Sequence, residues 1–91
     1  MSNTIEATAV EQMERAARKG TPETMFQLGL MYSLGRDVER DLVAAHKWFN
    51  LAALRGNCDA RTYRREIAEE LSTDEVAAAQ RLARDWLKTV H

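Results

Sequence analysis

Few side chains in this 91-residue chain are of a type that could do chemistry, and their spacing decides whether they do. His46 and His91 are the only histidines and Cys58 is the only cysteine. Neither histidine has a carboxylate or thiolate beside it at the spacing a helical metal site needs, so both are expected to be solvated and no metal or other cofactor is expected. Cys58 falls in the first turn of an expected helix, where the positive end of the dipole would lower its pKa and raise its reactivity. It is read as a small first-turn residue. No Ser-His-Asp set, glycine-rich phosphate loop or paired catalytic carboxylate can be assembled, so the chain is not expected to be an enzyme. Arg55, Arg61, Arg64 and Arg65 surround Tyr63 in a way that would suit phosphate or RNA. Asp59, Glu66, Glu69 and Glu70 interleave with them, however, and favour ion pairs four residues apart on one helix over nucleic-acid contact.

Composition narrows the classes further. A formal net charge of −1 and a pI near 6.1 provide no global attraction to nucleic acid or anionic membrane. The N-terminus lacks a basic stretch followed by an apolar core, and no run approaches the roughly 18 apolar residues of a spanning helix. A cytoplasmic location is expected, and a lone cysteine fits a reducing compartment. Apolar residues at 45%, led by alanine rather than β-branched types, predict an all-α fold in a single domain over residues 1–91.

Five helices would position these side chains. A first helix over 4–19 carries Ile5, Ala9, Met13, Ala16 and Ala17 at helical spacing and stops at Gly20. Thr21 offers an N-cap oxygen and Pro22 takes the first helical position of a second helix, which runs to about Leu34 and ends at Gly35. Val38 is expected to tuck inward from the following turn. Asp41 caps a third helix with Leu42, Ala45, Trp48 or Phe49, Ala52 and Ala53 on its apolar face, closed by Gly56. Asn57 caps a fourth helix, from Cys58 to about Leu71, with Ala60, Tyr63 or Arg64, Ile67, Ala68 and Leu71 inward. Ser72 and Glu75 form a capping-box pattern that opens a fifth helix toward Val90.

The chain also repeats itself. AARKG at 16–20 returns as AALRG at 52–56, placing the two glycines 56 − 20 = 36 residues apart. DLVAAHKWFNLAA at 41–53 likewise aligns with DEVAAAQRLARDW at 74–86, offset by 33. A period of 20 to 50 residues marks stacked helix pairs, because one pair cannot bury its apolar face alone. Leu28-Gly29, Tyr32, Gly35, Val38, Asp41, Ala45, Trp48-Phe49, Ala52-Ala53 and Gly56 follow the order and spacing of a known pattern. In these residues the chain resembles the Sel-one-like repeat family of tetratricopeptide-like helical repeat proteins. The resemblance implies a short α-solenoid of antiparallel helix pairs: a leading half-repeat at 4–19, one complete repeat at 21–56 and a degenerate C-terminal capping repeat at 57–90. Gly29 would let the paired helix approach, with Tyr32 and Trp48 filling the gap. Asp37 stands where the family's turn has a second glycine, Arg64-Arg65 replaces the Leu-Gly pair in the next repeat, and Trp86 stands where an alanine is expected.

In such stacks the first helix of each pair lines a concave groove, which by phase gives Glu23, Phe26, Leu30, Ser33 and Leu34. Thirty-six residues on, the groove continues through Asp59, Thr62, Glu66, Glu69 and Glu70. Its first half is apolar and its second acidic. The expectation is a non-enzymatic adaptor or scaffold that binds a peptide or helix of a partner protein, basic with an apolar anchor. The resemblance points the same way, since such repeats typically scaffold complexes, often in bacterial regulation or signalling. The alternative is a structural module that self-associates, as a homodimer or larger assembly, through the first helix or the Trp86 end.

Overall fold

The computed structural model describes residues 8–90, and within them the chain forms five helices. These are α1 (Ala9–Ala17), α2 (Pro22–Leu34), α3 (Leu42–Leu54), α4 (Cys58–Glu70) and α5 (Thr73–Thr89), with no strand among the described residues. The fold is an all-α helical repeat, and its short connections set successive helices antiparallel. Ile5 and the first residues of the expected opening helix lie outside the described residues, as does His91.

Local chemistry explains where each helix begins. Asp41 accepts from the Ala44 N–H at 3.0 Å, and Asn57 accepts from the Ala60 N–H at 2.9 Å. Ser72 and Glu75 form the expected reciprocal capping box, at 2.8 and 3.1 Å. A second box, Thr8 with Glu11, opens α1, at 2.9 and 3.2 Å. The TAVE run at 8–11 carries the same sequence signal. Thr21 is the exception: it occupies the N-cap of α2, yet its side chain makes no capping hydrogen bond. Between α2 and α3, Asp37 adopts φ +64°, so the aspartate does take the left-handed conformation for which the family's turn uses glycine.

The core is built on α3. It packs closely against α2, α4 and α5, while α1 covers α2 from the other side. Trp48, Phe49, Leu51 and Ala52 are buried together, so both aromatics of the Trp-Phe pair face inward. The Phe49 ring lies against Gly29, where a Cβ would meet its Cδ1 and Cε1 at 2.5 Å. Phe49, more than Tyr32 or Trp48, is what the glycine admits. Trp86 on α5 meets Trp48 edge to face, with ring centroids 5.3 Å apart. That contact half-buries Trp86, so it stands with the core rather than as a free end.

Two expectations are corrected here. His46, expected in solvent, is 3% exposed. A helix packed on three sides buries side chains well beyond one apolar stripe. The ion pairs expected along α4 are not made either: the single ion pair among the described residues joins Arg40 to Glu70, and Arg64 instead donates to Asn50 Oδ1 at 2.6 Å. α4 uses its basic residue to reach back to α3.

Candidate protein-binding surface

α2 and α4 meet through side chains on the face to which the sequence assigned the groove. Phe26, Phe49 and Tyr63 form a triangle with centroid separations of 5.6, 5.2 and 5.3 Å. Phe26 is therefore half-buried, and Leu30 is half-buried beside the same core. One turn further, Leu34 is 60% exposed, and Tyr63 shows 39% of its surface. Ser33 is half-buried, with its hydroxyl donating to the Leu30 carbonyl at 3.0 Å. The apolar half of the face thus presents Leu34 and one side of Tyr63, whose ring rests on Phe26, while Leu30 packs against the core.

The acidic half is more open. Glu23, Asp59, Thr62, Glu66, Glu69 and Glu70 are all exposed. Asp59 lies in the first turn of α4, where its charge favours the helix dipole. Glu70 approaches Arg40 at 3.7 Å from the preceding loop, a solvent-exposed pair that adds little stability. The difference between the halves follows from the 36-residue offset. Phe26, which meets Phe49 and Tyr63, and Leu30, packed on the core, correspond to Thr62 and Glu66, which are exposed.

Three titrating groups near the core have displaced pKa values. Burial, aided by the nearby Arg64 guanidinium, holds the His46 pKa below the usual imidazole range, and its Nδ1 has no hydrogen-bond partner. Burial also lowers the Lys47 pKa, against the opposing pull of Glu14, and the ammonium sits 4.5 Å from the Trp48 ring centroid. Tyr32 titrates above its ordinary value because it is partly buried and its hydroxyl donates to Glu14 at 3.4 Å. No group of three or more metal-ligating side chains is gathered among the described residues, and Cys58 is exposed at the start of α4. No helix among these residues is long and apolar enough to cross a membrane.

Sequence reasoning missed two concavities. One, of about 670 Å³, lies between the α2–α3 loop and the α4–α5 turn and includes Tyr32, Val38 and Leu71. The other, of about 300 Å³, is lined by Arg18, Lys19, Gly20, Arg55 and Val90. Each joins segments far apart in the chain, so no local spacing announces it.

Comparison with known proteins agrees with this geometry. Residues 22–57, spanning α2, the left-handed turn and α3, match the family model described as the Sel1 repeat. No curated protein and no solved structure matches the chain. Sel1 repeats are generally protein–protein interaction modules and typically lack catalytic activity. A Gly29 notch filled by Phe49, a turn through Gly35 and Asp37, and an aromatic-alanine α3 are the physical content of that match, and over residues 22–57 the chain is similar to a Sel1 repeat.

Proposed function

We propose that the protein is a non-enzymatic adaptor that holds a peptide or helix of another protein along the α2–α4 face. The observation that carries this reading is that α2 and α4, which meet at Phe26 and Tyr63, together expose apolar Leu34 and Tyr63 and the carboxylates Glu66 and Glu69, which make no ion pair among the described residues. Apolar contact at the first half would supply affinity, and the carboxylates would orient a basic segment. The partner that fits is a basic, amphipathic segment with at least one large apolar anchor.

Capture from the host lysate tests this with a matched control. Leu34→Ser combined with Glu66→Gln and Glu69→Gln changes exposed positions and leaves the aromatic triangle intact. A specific basic partner should be retained by the parent and lost by the triple variant, and should elute as salt rises to about 0.5 M. Equal capture by parent and variant would remove the α2–α4 face from consideration.

A further inference from the structure

The net charge of −1 conceals a polarity along the helices. α1, α3 and α5 run in one direction and α2 and α4 in the other. The odd helices therefore start at one edge of the molecule, with Glu11, Asp41, Asp74 and Glu75, and finish at the opposite edge, with Arg18, Arg55 and Lys88. Acids near helix N-termini and bases near C-termini are each stabilised by the dipole, so three parallel helices bias the charge toward opposite edges, although α2 and α4 start at the basic edge with Glu23 and Asp59. The two edges are separated by the length of α3, roughly 20 Å for 13 residues at about 1.5 Å each.

Each edge is also concave. At the acidic edge, the 670 Å³ cavity has half-buried Val38, Leu42 and Leu71 beneath exposed Glu39, Glu70 and Glu75. Arg40 is its single lining cation and is already paired with Glu70. The basic cleft has three cations, Arg18, Lys19 and Arg55, and no carboxylate among its lining residues. None of the three makes an ion pair among the described residues.

We infer that the acidic edge of one molecule receives the basic edge of a second copy, joining chains head to tail. Long Lys and Arg stems cover apolar surface while their charged heads stay in water, which suits a cavity with an apolar floor and a carboxylate rim. The two patches differ, so the contact is heterologous: each added copy leaves one free edge of each kind, and the product is an open chain of molecules unless rotation closes a ring. The contact shares Glu70 with the acidic half of the α2–α4 face but uses none of Leu34, Tyr63, Glu66 and Glu69, so variants at those four positions separate partner capture from self-docking.

Sedimentation velocity over a concentration series tests the inference with two charge-reversed variants. Glu39→Lys with Asp74→Lys removes most of the net charge of the acidic edge, and Arg18→Glu with Lys19→Glu does the same at the basic edge; none of these four positions belongs to the adaptor surface. The parent should form a ladder of species at low ionic strength, and this should collapse to monomer at about 0.5 M salt, where exposed charges are screened within a few ångströms. Each variant alone should stay monomeric where the parent associates, and an equimolar mixture should associate again. A parent that remains monomeric at low ionic strength, a variant that associates as the parent does, or a mixture that fails to recover would each overturn the inference. The salt series requires no substitution, so it remains decisive if a variant folds poorly. A monomeric parent would leave the acidic cavity to a different basic protein.

Discussion

The helix pair α2–α3 and the segment α4–α5 descend from the same pattern and pack differently. In the first, Gly29 opens a notch that Phe49 fills completely, and the two helices close on each other. In the second, the notch position carries Arg65 (29 + 36 = 65), and the counterpart of Phe49 is Leu82 (49 + 33 = 82), which is 45% exposed. Without a notch to enter, α5 does not close on α4. Both lie on α3, and α5 is fixed there by Trp86 against Trp48. The contrast shows that a Sel1-type hairpin is held by one absent Cβ and one ring, and that a helix lacking this pairing can still be retained by an aromatic aimed at the previous repeat.

Breaking the first pair should have the largest effect. Trp48→Ala empties a buried site shared by both regions and should cost about 3–5 kcal/mol, whereas Trp86→Ala, at a half-buried position, should cost on the order of 1–2 kcal/mol. Urea melts of the two variants measure the difference, and equal losses would erase the distinction between core and cap.

Gly29→Ala sharpens the same contrast. Its new methyl would sit 2.5 Å from the Phe49 ring, so a loss of roughly 1–3 kcal/mol is expected from overpacking, despite the gain of about 1 kcal/mol in helix propensity. At Arg65 the corresponding change, Arg65→Ala, should be nearly neutral because the side chain is exposed. Thermal melts in parallel would expose an error in the placement of the notch if Gly29→Ala proved as stable as the parent.

The buried histidine separates the regions by pH. The folded-state pKa of His46 is depressed, so the unfolded chain binds its proton first and protonation penalises the fold. Its contribution is constant well above about pH 6.5, and stability declines as pH falls from there toward the lower folded value, by at most about 1.4 kcal/mol per pH unit for one proton. The slope flattens below that value. His46→Leu should remove this component of the pH profile, which urea melts between about pH 7.5 and 5 would resolve; an unchanged slope would show that His46 takes up its proton equally in both states.

The smallest effect is expected at the one helix start whose N-cap side chain makes no bond. Thr21→Asp should stabilise α2 by roughly 0.5–1 kcal/mol by supplying the missing acceptor, whereas Asp41→Ala should cost about 1 kcal/mol by removing one at α3. Opposite signs in chemical denaturation would confirm that the two starts differ in capping.

Most of the fold was legible because its signals are local. Gly20, Gly35 and Gly56 mark helix ends, Asp41, Asn57 and Ser72 mark starts, and the 36-residue return of Ala-Ala-x-x-Gly marks the repeat. His46 was misjudged because periodicity on α3 describes one partner, and this helix has three. The ion pairs expected along α4 assumed that the helix's nearest charges were its own. Arg64 instead finds Asn50, and Glu70 finds Arg40, across gaps of 14 and 30 residues. For the candidate surface, phase assigns carboxylates such as Glu66 to the groove, and their side chains are exposed. It could not reveal that Tyr63 reaches over Phe26, because that contact depends on how α4 is seated rather than on its sequence.

The central position of α3 also bears on how the molecule opens. Three neighbouring helices use it as a common wall, so detaching α1 alone leaves that wall intact, while displacing α3 releases its packing against α2, α4 and α5 at once. Amide protons in the middle of α3 should therefore exchange with solvent only through global unfolding, and those of α1 through smaller and cheaper fluctuations. On that expectation, a chain assembled from repeats opens as one cooperative unit after its first helix detaches.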